Sequence, residues 1–238
     1  MAAEKRLILA LDVSGSAEAA RWTRLLGGEI GVFKIGLELF ISQGPKIIKE
    51  VRQAGAEAIF LDLKLHDIPA TMRAAARQAA DLGVDFLTCH CEQTDIFTGM
   101  DLAPTRLLGI TVLTSLEDRD LERQGYSGDL SRPLALARRR AQLALEAGCQ
   151  GIVCSGHEAG SMRRIMGPEA LIVCPGIRLS QDGPDDQKRI ATPGQALAAG
   201  ASHLVVGRPI LRARDPLAAA RDFAKAMQAP APLLATIC

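Results

Sequence analysis

The chain has 238 residues, of which 48% are hydrophobic and 23% charged, and its net charge is +1. This composition is typical of a globular protein, and the balanced charge excludes the broad basic surface that nucleic acids or anionic membranes require. No apolar run is long enough to cross a membrane, and Asp12 interrupts the first apolar run too early for a signal peptide. The six cysteines lie mostly in apolar runs, which favours free thiols in a reducing cytoplasm.

Short β-type runs alternate with longer helical stretches along the whole chain. The apolar runs predict strands at residues 7–12, 31–35, 58–64, 86–90, 108–113, 151–154, 171–174 and 203–206. The stretches between them are rich in good helix formers and predict helices at residues 17–26, 45–54, 70–82, 133–147, 158–165, 193–199 and 216–227. Several helical stretches are followed by a glycine, as C-terminal caps require: Gly55, Gly83, Gly148 and Gly200.

Eight strands that alternate with helices over roughly 240 residues are typical of a (β/α)8 barrel. We therefore predict an α/β fold, a single TIM-barrel domain that spans residues 1–238. A doubly wound open sheet is the alternative, and it is less favoured because no GxGxxG motif follows the first strand. Long loops are predicted at residues 114–132 and 178–192, and the polar composition of the second predicts a lid.

The strongest functional signal is FLDLKLHDIPATM at residues 60–72. Side chains alternate along a strand, so Asp62 and Lys64 point the same way, and Asp67 follows where the chain turns before Pro69. Buried charges must pair with one another or face a polar cleft. The triplet therefore indicates catalytic charges, with a surface salt-bridge cluster as the alternative.

Further polar side chains follow other predicted strands. The active site of a (β/α)8 barrel lies at the carboxyl ends of its strands. Each residue alone could cap a helix or carry a solvated charge, but their convergence on one rim indicates a site. The residues outside the triplet are Asp12, Lys34, Thr114, Ser115, Arg178 and Arg208.

Two of these segments predict a phosphate site. PGIR at residues 175–178 and VGRP at residues 206–209 follow the seventh and eighth strands, where barrels of this class often bind phosphate. The backbone of Gly207 permits close approach, and Arg178 and Arg208 supply planar donors. Gln187 in the predicted lid could close over the same group.

These motifs together resemble orotidine 5′-phosphate decarboxylase. The resemblance spans residues 7–209 and rests on ILALD, Lys34, DLKLHDIPATM, LTS at 113–115, PGIR, the DQ pair at 186–187 and VGRP. It implies the conversion of orotidine 5′-phosphate to uridine 5′-phosphate and CO2, the last step of pyrimidine nucleotide synthesis, without a cofactor or metal.

The resemblance also implies roles for individual residues. Lys64 would donate the proton to C6 of the pyrimidine, and Asp62 would lie near the substrate carboxylate. Asp12 and Lys34 would bind the ribose hydroxyls and extend the charge network, and Thr114 would contact the pyrimidine.

The remaining implied roles concern a partner subunit and the phosphate. Asp67 and Thr71 would enter the neighbouring subunit's site, which makes the active unit a homodimer with shared active sites. The phosphate would be held by Gln187, the Gly207 backbone, Arg208 and Arg178.

Three alternatives stay open from the sequence. Related sugar-phosphate decarboxylases and synthases carry the same Asp-x-Lys-x-x-Asp element but use Mg²⁺. A non-catalytic nucleotide-binding barrel is a different class, against which the clustered charges argue. Cys89-His90-Cys91 suggests a metal site, but no second Cys or His pair stands at zinc-site spacing, so none is predicted.

Overall fold

The computed structural model describes residues 2–179 and 190–228. Its parallel strands close into a barrel in which β1 pairs with both β2 and β8. This closure confirms the predicted TIM barrel and excludes the open sheet. The eight strands are β1 (Leu7–Ala10), β2 (Val32–Gly36), β3 (Ala58–Leu65), β4 (Phe86–Cys89), β5 (Arg106–Ile110), β6 (Gly151–Val153), β7 (Leu171–Cys174) and β8 (His203–Val206).

Helices cover the outside of this barrel. They are α1 (Ser16–Leu26), α2 (Leu37–Gln43), α3 (Lys46–Gln53), α4 (Pro69–Asp81), α5 (Asp118–Arg123), α6 (Pro133–Glu146), α7 (Ala159–Met166), α8 (Pro193–Ala198), α9 (Arg208–Leu211) and α10 (Pro216–Gln228). The seven predicted helices are confirmed within two residues at each end. Helices α2, α5 and α9 were not predicted, and they have seven, six and four residues. Helix α5 and a 3-10 turn at Gly128–Ser131 lie inside the predicted loop at 114–132.

The fourth β/α unit has no helix. Residues 90–105 form turns between β4 and β5. The amides of Asp95 and Phe97 donate to the carbonyls of Glu146 and Ala147, at 3.1 and 2.9 Å. This segment is therefore held against the end of α6 by backbone hydrogen bonds, where other units use a helix face.

Strand alternation divides the core into two layers. The inner layer fills the barrel with Ile8, Ala10, Val32, Phe60, Phe86, Leu108, Leu171, Val173 and Val205. Their neighbours in sequence point outward to the helices, where Leu9, Phe33 and Ile59 are fully buried. On each strand, an inward-pointing residue that comes after these apolar side chains therefore faces the opening at the carboxyl end of the barrel.

Local signals set the helix ends that shape the rim. Proline occupies the first residue of α4, α6 and α8, where its missing N–H is not needed. Thr192 and Gln195 form a capping box at the start of α8. Gly83 ends the α4 stretch with φ +77°, a conformation that glycine adopts without strain.

One buried histidine, His203, faces the barrel interior at the amino ends of the strands. The ring of His203 packs edge-to-face on Phe86 with centroids 5.7 Å apart, and His203 is 4% exposed. Its Nδ1 has no hydrogen-bond partner among the described residues. Burial, with the positive charges of Arg6 and Arg106, lowers the pKa of His203 to about 4.

We expect His203 to make stability pH-dependent. Between pH 6.5 and 4 the unfolded chain binds a proton at this site and the folded chain does not. The free energy of unfolding should therefore fall as the pH drops through this window, by up to about 3 kcal/mol. Urea unfolding at pH 6.5 and 5 measures the slope. His203→Leu should reduce it, whereas His157→Gln, which changes an exposed histidine, should not. Equal slopes in wild type and His203→Leu would contradict the assignment.

Candidate active site

A cavity of about 350 Å³ lies at the carboxyl ends of the strands. Its floor is apolar and its rim is polar. The predicted residues that line it are Asp12, Lys34, Asp62, Lys64, Thr114, Ser115, Arg178, Gly207 and Arg208. The tertiary structure thus brings together residues that are almost 200 positions apart in the chain.

The inward series of three adjacent strands supplies the centre of this site. Lys34 on β2 follows Val32, Asp62 on β3 follows Phe60, and Thr88 on β4 follows Phe86. Because these strands are neighbours, the three side chains meet above the apolar floor. No sequence signal marks Thr88 as a site residue, since it lies inside an apolar run and carries no charge.

The charged side chains form an alternating row. Lys34 Nζ lies 3.4 Å from Asp12 Oδ1 and 3.7 Å from Asp62 Oδ2. Lys64 Nζ lies 2.9 Å from the other oxygen of the same carboxylate, Asp62 Oδ1. Each inner charge is thereby compensated, which allows the side chains of Lys34 and Asp62 to be only 12% and 14% exposed.

Asp62 is ionised at neutral pH. Burial by itself raises the pKa of its carboxyl group, but Lys34, Lys64 and the hydrogen bonds from Lys64 and Thr88 together hold that pKa below its usual value. The site therefore keeps a fixed negative charge between two ammonium groups.

The backbone at Lys64 departs from a regular strand. The pairing of β3 with β4 shifts register between Leu61 and Leu65, and Lys64 has φ +53°. Thr88 Oγ1 accepts a hydrogen bond from Lys64 N and donates one to Asp62 Oδ1, both at 2.9 Å. Thr88 thus stabilises the irregular backbone that directs the Lys64 ammonium onto Asp62.

Arginines and a glycine form the opposite side of the cavity. Arg178 is buried and donates to the carbonyl of Ile177 at 2.9 Å. Gly207 lies so close to Asp12 that a Cβ there would be 3.2 Å from Asp12 Oδ2. Arg208 begins α9 directly after Gly207. This side of the cavity therefore carries two guanidinium groups, those of Arg178 and Arg208.

The loop after β5 forms a further part of the cavity wall. Thr114 and Ser115 both line the cavity. Arg140 on α6 donates to the carbonyl of Thr111 at 2.7 Å and to the hydroxyl of Tyr126 at 3.0 Å. A long-range contact from a helix, with no motif to mark it, therefore holds this loop over the site.

Two predicted residues lie away from the cavity of their own chain. Asp67 and Thr71 are exposed, and neither lines the cavity that contains Lys64. Asp67 Oδ1 accepts the amide hydrogen of Ile68 at 2.6 Å. Asp67 instead borders a separate hollow with His66 and His90. Asp67 does not join Asp62 and Lys64 in the cavity of its own chain, because the turn after Leu65 leads it outward. Its predicted place in a neighbouring subunit's site stays a prediction.

Gln187 and most of the predicted lid fall at residues 180–189, outside the described residues. The described residues on either side of this segment meet. Arg178 N donates to the carbonyl of Ala191 at 3.1 Å, and Ala191 N donates to the carbonyl of Gly176 at 3.2 Å. These flanking residues therefore lie at the arginine side of the cavity.

Comparisons with known proteins identify the family of the chain. Residues 5–223 match the model of the orotidine 5′-phosphate decarboxylase / HUMPS family. The chain belongs to this family. The family predicted from the sequence is thus confirmed.

Individual relatives cover nearly the whole chain. It is 43% identical to the orotidine 5′-phosphate decarboxylase of Thermobifida fusca, over 93% of this chain and 95% of that protein. It is 45% identical to the same-named protein of Caulobacter sp., over 92% and 96%. The crystal structure of orotidine 5′-phosphate decarboxylase from Lactobacillus acidophilus superposes with a TM-score of 0.77 at 32% identity, covering 94% of this chain and 99% of that one.

The two hydrogen bonds of its hydroxyl make Thr88 the positioning residue to test. Thr88→Val keeps the shape but leaves the Lys64 amide without its acceptor and Asp62 without one donor. We expect the free energy of unfolding to fall by about 1–3 kcal/mol, whereas Thr88→Ser, which keeps the hydroxyl, should lose less. Urea unfolding measures both. Equal losses for the two variants would mean that the hydroxyl does not stabilise this backbone.

Proposed function

We propose that this protein decarboxylates orotidine 5′-phosphate to uridine 5′-phosphate and CO2, without a cofactor. The observation that carries the proposal is the ammonium of Lys64, held 2.9 Å from the Asp62 carboxylate, whose side chain is only 14% exposed, at the mouth of a barrel with an apolar interior. Family membership and relatives at 43–45% identity support it.

The reaction explains why a fixed ammonium is needed. When the C6–carboxylate bond breaks, its electron pair stays on C6, where the pyrimidine ring gives little delocalisation. A preorganised positive charge stabilises that pair and then supplies the proton. Lys64 is proposed as this donor, so that C6 gains a proton and the lysine becomes a neutral amine that is reprotonated from water.

Asp62 and Lys34 position the donor. Asp62 holds Lys64 through one oxygen and lies near Lys34 through the other, so the carboxylate cannot rotate without breaking an ion pair. Asp12, next to Lys34, is proposed to bind the ribose hydroxyls with it. Thr114 is proposed to contact the pyrimidine from the loop after β5.

The phosphate is proposed to bind on the arginine side. Arg178 and Arg208 supply guanidinium groups, and the Gly207 backbone lies between them and Asp12. Gln187 is proposed to complete this site. The phosphate is remote from C6, so its binding energy can hold the site assembled during the reaction.

A Mg²⁺-dependent sugar-phosphate enzyme is the second candidate, because the family model covers both groups. Mg²⁺ prefers carboxylate and water oxygens at a site with free acidic groups. Here Asp62 is paired with two ammonium groups and Asp12 with one. This pairing favours the nucleotide reaction, as do the names of the relatives.

Lys64→Ala tests the donor role. The loss of orotidine 5′-phosphate is followed spectrophotometrically in EDTA. Wild type should turn over, which would reject both the Mg²⁺-dependent alternative and a barrel that only binds nucleotides. Lys64→Ala should lower kcat by more than about 100-fold, the typical scale of general acid catalysis, while uridine 5′-phosphate still binds.

Lys46→Ala is the matched control, since Lys46 lies on the outside of the barrel at the start of α3. It should leave kcat unchanged. Retention of more than about one hundredth of wild-type kcat in Lys64→Ala would remove the donor role.

Arg208→Ala tests the phosphate site. Because a guanidinium–phosphate contact is charge-assisted, its loss should weaken binding of uridine 5′-phosphate by roughly 10-fold or more and leave binding of uridine unchanged. Isothermal titration calorimetry measures both ligands. Arg212→Ala, at the exposed residue that directly follows α9, should bind both like wild type. Unchanged affinity of Arg208→Ala for uridine 5′-phosphate would place the phosphate elsewhere.

A homodimer with shared active sites is also proposed. Asp67 and Thr71 lie away from their own chain's cavity, and the apolar side chain of Ile68 beside Asp67 is 64% exposed. A second copy of the chain that covers Ile68 would carry Asp67 toward the partner's Lys64.

A reducing cytoplasm is the proposed location, consistent with the free thiols of the five described cysteines. No described helix is long and apolar enough to cross a membrane.

Mixing inactive variants tests the shared site. Lys64→Ala and Asp67→Ala should each be inactive, and equal amounts that exchange subunits should regain about a quarter of wild-type activity, because half of the dimers then hold one intact site. Lys64→Ala mixed with Asp62→Ala is the control, because both residues belong to one chain's site, and it should stay inactive. An inactive first mixture, with subunit exchange verified by mass, would contradict the shared site.

A further inference from the structure

Three cysteines that are distant in sequence meet outside the catalytic cavity. Cys89 ends β4, Cys91 follows in the segment that lacks a helix, and Cys149 lies between α6 and β6. Their Sγ atoms form a triangle with edges of 3.5, 3.7 and 3.8 Å. All three residues are 0–6% exposed and belong to the layer between the strands and the helices.

The triangle has the dimensions of a metal–thiolate site. An ion at its centre would lie about 2.1 Å from each sulfur, close to the metal–sulfur distance of about 2.3 Å found at zinc–thiolate sites. In the described part of the chain this trio is the one group of Cys, His, Asp or Glu whose ligand atoms are close enough to share an ion. No sequence motif marks this trio, because Cys149 lies 58 residues beyond Cys91.

We propose that Cys89, Cys91 and Cys149 bind one Cu(I) ion through three sulfurs. Soft thiolate ligands select Cu(I) and Zn²⁺ among the common metal ions. Structural Zn²⁺ takes four ligands, and no fourth acidic, thiol or imidazole ligand joins the trio among the described residues. All three cysteines are buried, which disfavours water as a fourth ligand. Cu(I) is stable with three sulfur ligands alone.

The position gives the ion a structural role. The segment 90–105 has no helix of its own and is held to the end of α6 by backbone hydrogen bonds. Cys91 comes from this segment and Cys149 from the turn after α6. Gly109 on β5 lies beside them, since a Cβ added there would be 3.6 Å from Cys91 Sγ. An ion bound by the three sulfurs would fasten this segment to β4 and to the α6–β6 turn.

An anaerobic titration of the reduced full chain with Cu(I), buffered by a competing chelator, tests the site. Wild type should bind one Cu(I) per chain, and X-ray absorption at the copper edge should show three sulfur ligands. Cys149→Ser should weaken binding by more than the roughly 10–100-fold that losing an outer-sphere partner costs. Cys149→Ala is a second variant should the serine protein fold poorly. Cys174→Ala, a buried cysteine on β7 outside the trio, is the matched control and should bind like wild type.

A thermal readout separates this site from unspecific thiol binding. Cu(I) should raise the Tm of wild type and of Cys174→Ala but not of Cys149→Ser, because only an ion bound more tightly by the folded chain stabilises it. Decarboxylation by Cys149→Ser without copper should match wild type, so the outcome does not depend on the proposed activity. Equal copper affinity of wild type and Cys149→Ser, or a copper site with two sulfurs, would overturn the proposal.

Discussion

The ion pair between Asp62 and Lys64 is the interaction on which the site depends. A buried carboxylate is unfavourable unless its oxygens are paired, and Asp62 meets this condition through Lys64, Lys34 and Thr88. These partners come from β2, β3 and β4, which are adjacent only because the sheet closes in chain order. Removing one partner leaves a buried charge uncompensated, so the four side chains act as one unit.

The conformation of Lys64 shows where the fold tolerates strain. A non-glycine residue with positive φ is unfavourable by about 1–3 kcal/mol, and such residues cluster at functional sites. The register shift between Leu61 and Leu65 makes room for it, and the hydroxyl of Thr88 satisfies the amide that the shift exposes. The strained backbone conformation of Lys64 thereby directs its ammonium at the Asp62 carboxylate instead of into solvent.

The two ends and the outer layer of the barrel have separate tasks. The carboxyl end carries the paired charges and the arginines, and the opposite end holds a neutral histidine near Arg6 and Arg106. On the outside, one unit lacks its helix, and the thiols of Cys89, Cys91 and Cys149 lie at that gap. Changes at each place should therefore affect different measurable properties, namely catalysis, pH-dependent stability and metal binding.

The sequence by itself determined the barrel, the family and the polar rim. Strand runs, helix formers and glycine caps are local signals, and a charge after a strand marks the rim in this fold. Tertiary structure alone decided which groups meet. The hydroxyl of Thr88 contacts Lys64 across 24 residues, and Cys149 joins Cys91 across 58, with no motif to mark either pair. It also decided that Asp67 turns away from its own site. Such contacts depend on strand register and chain direction in space, which a local pattern does not encode.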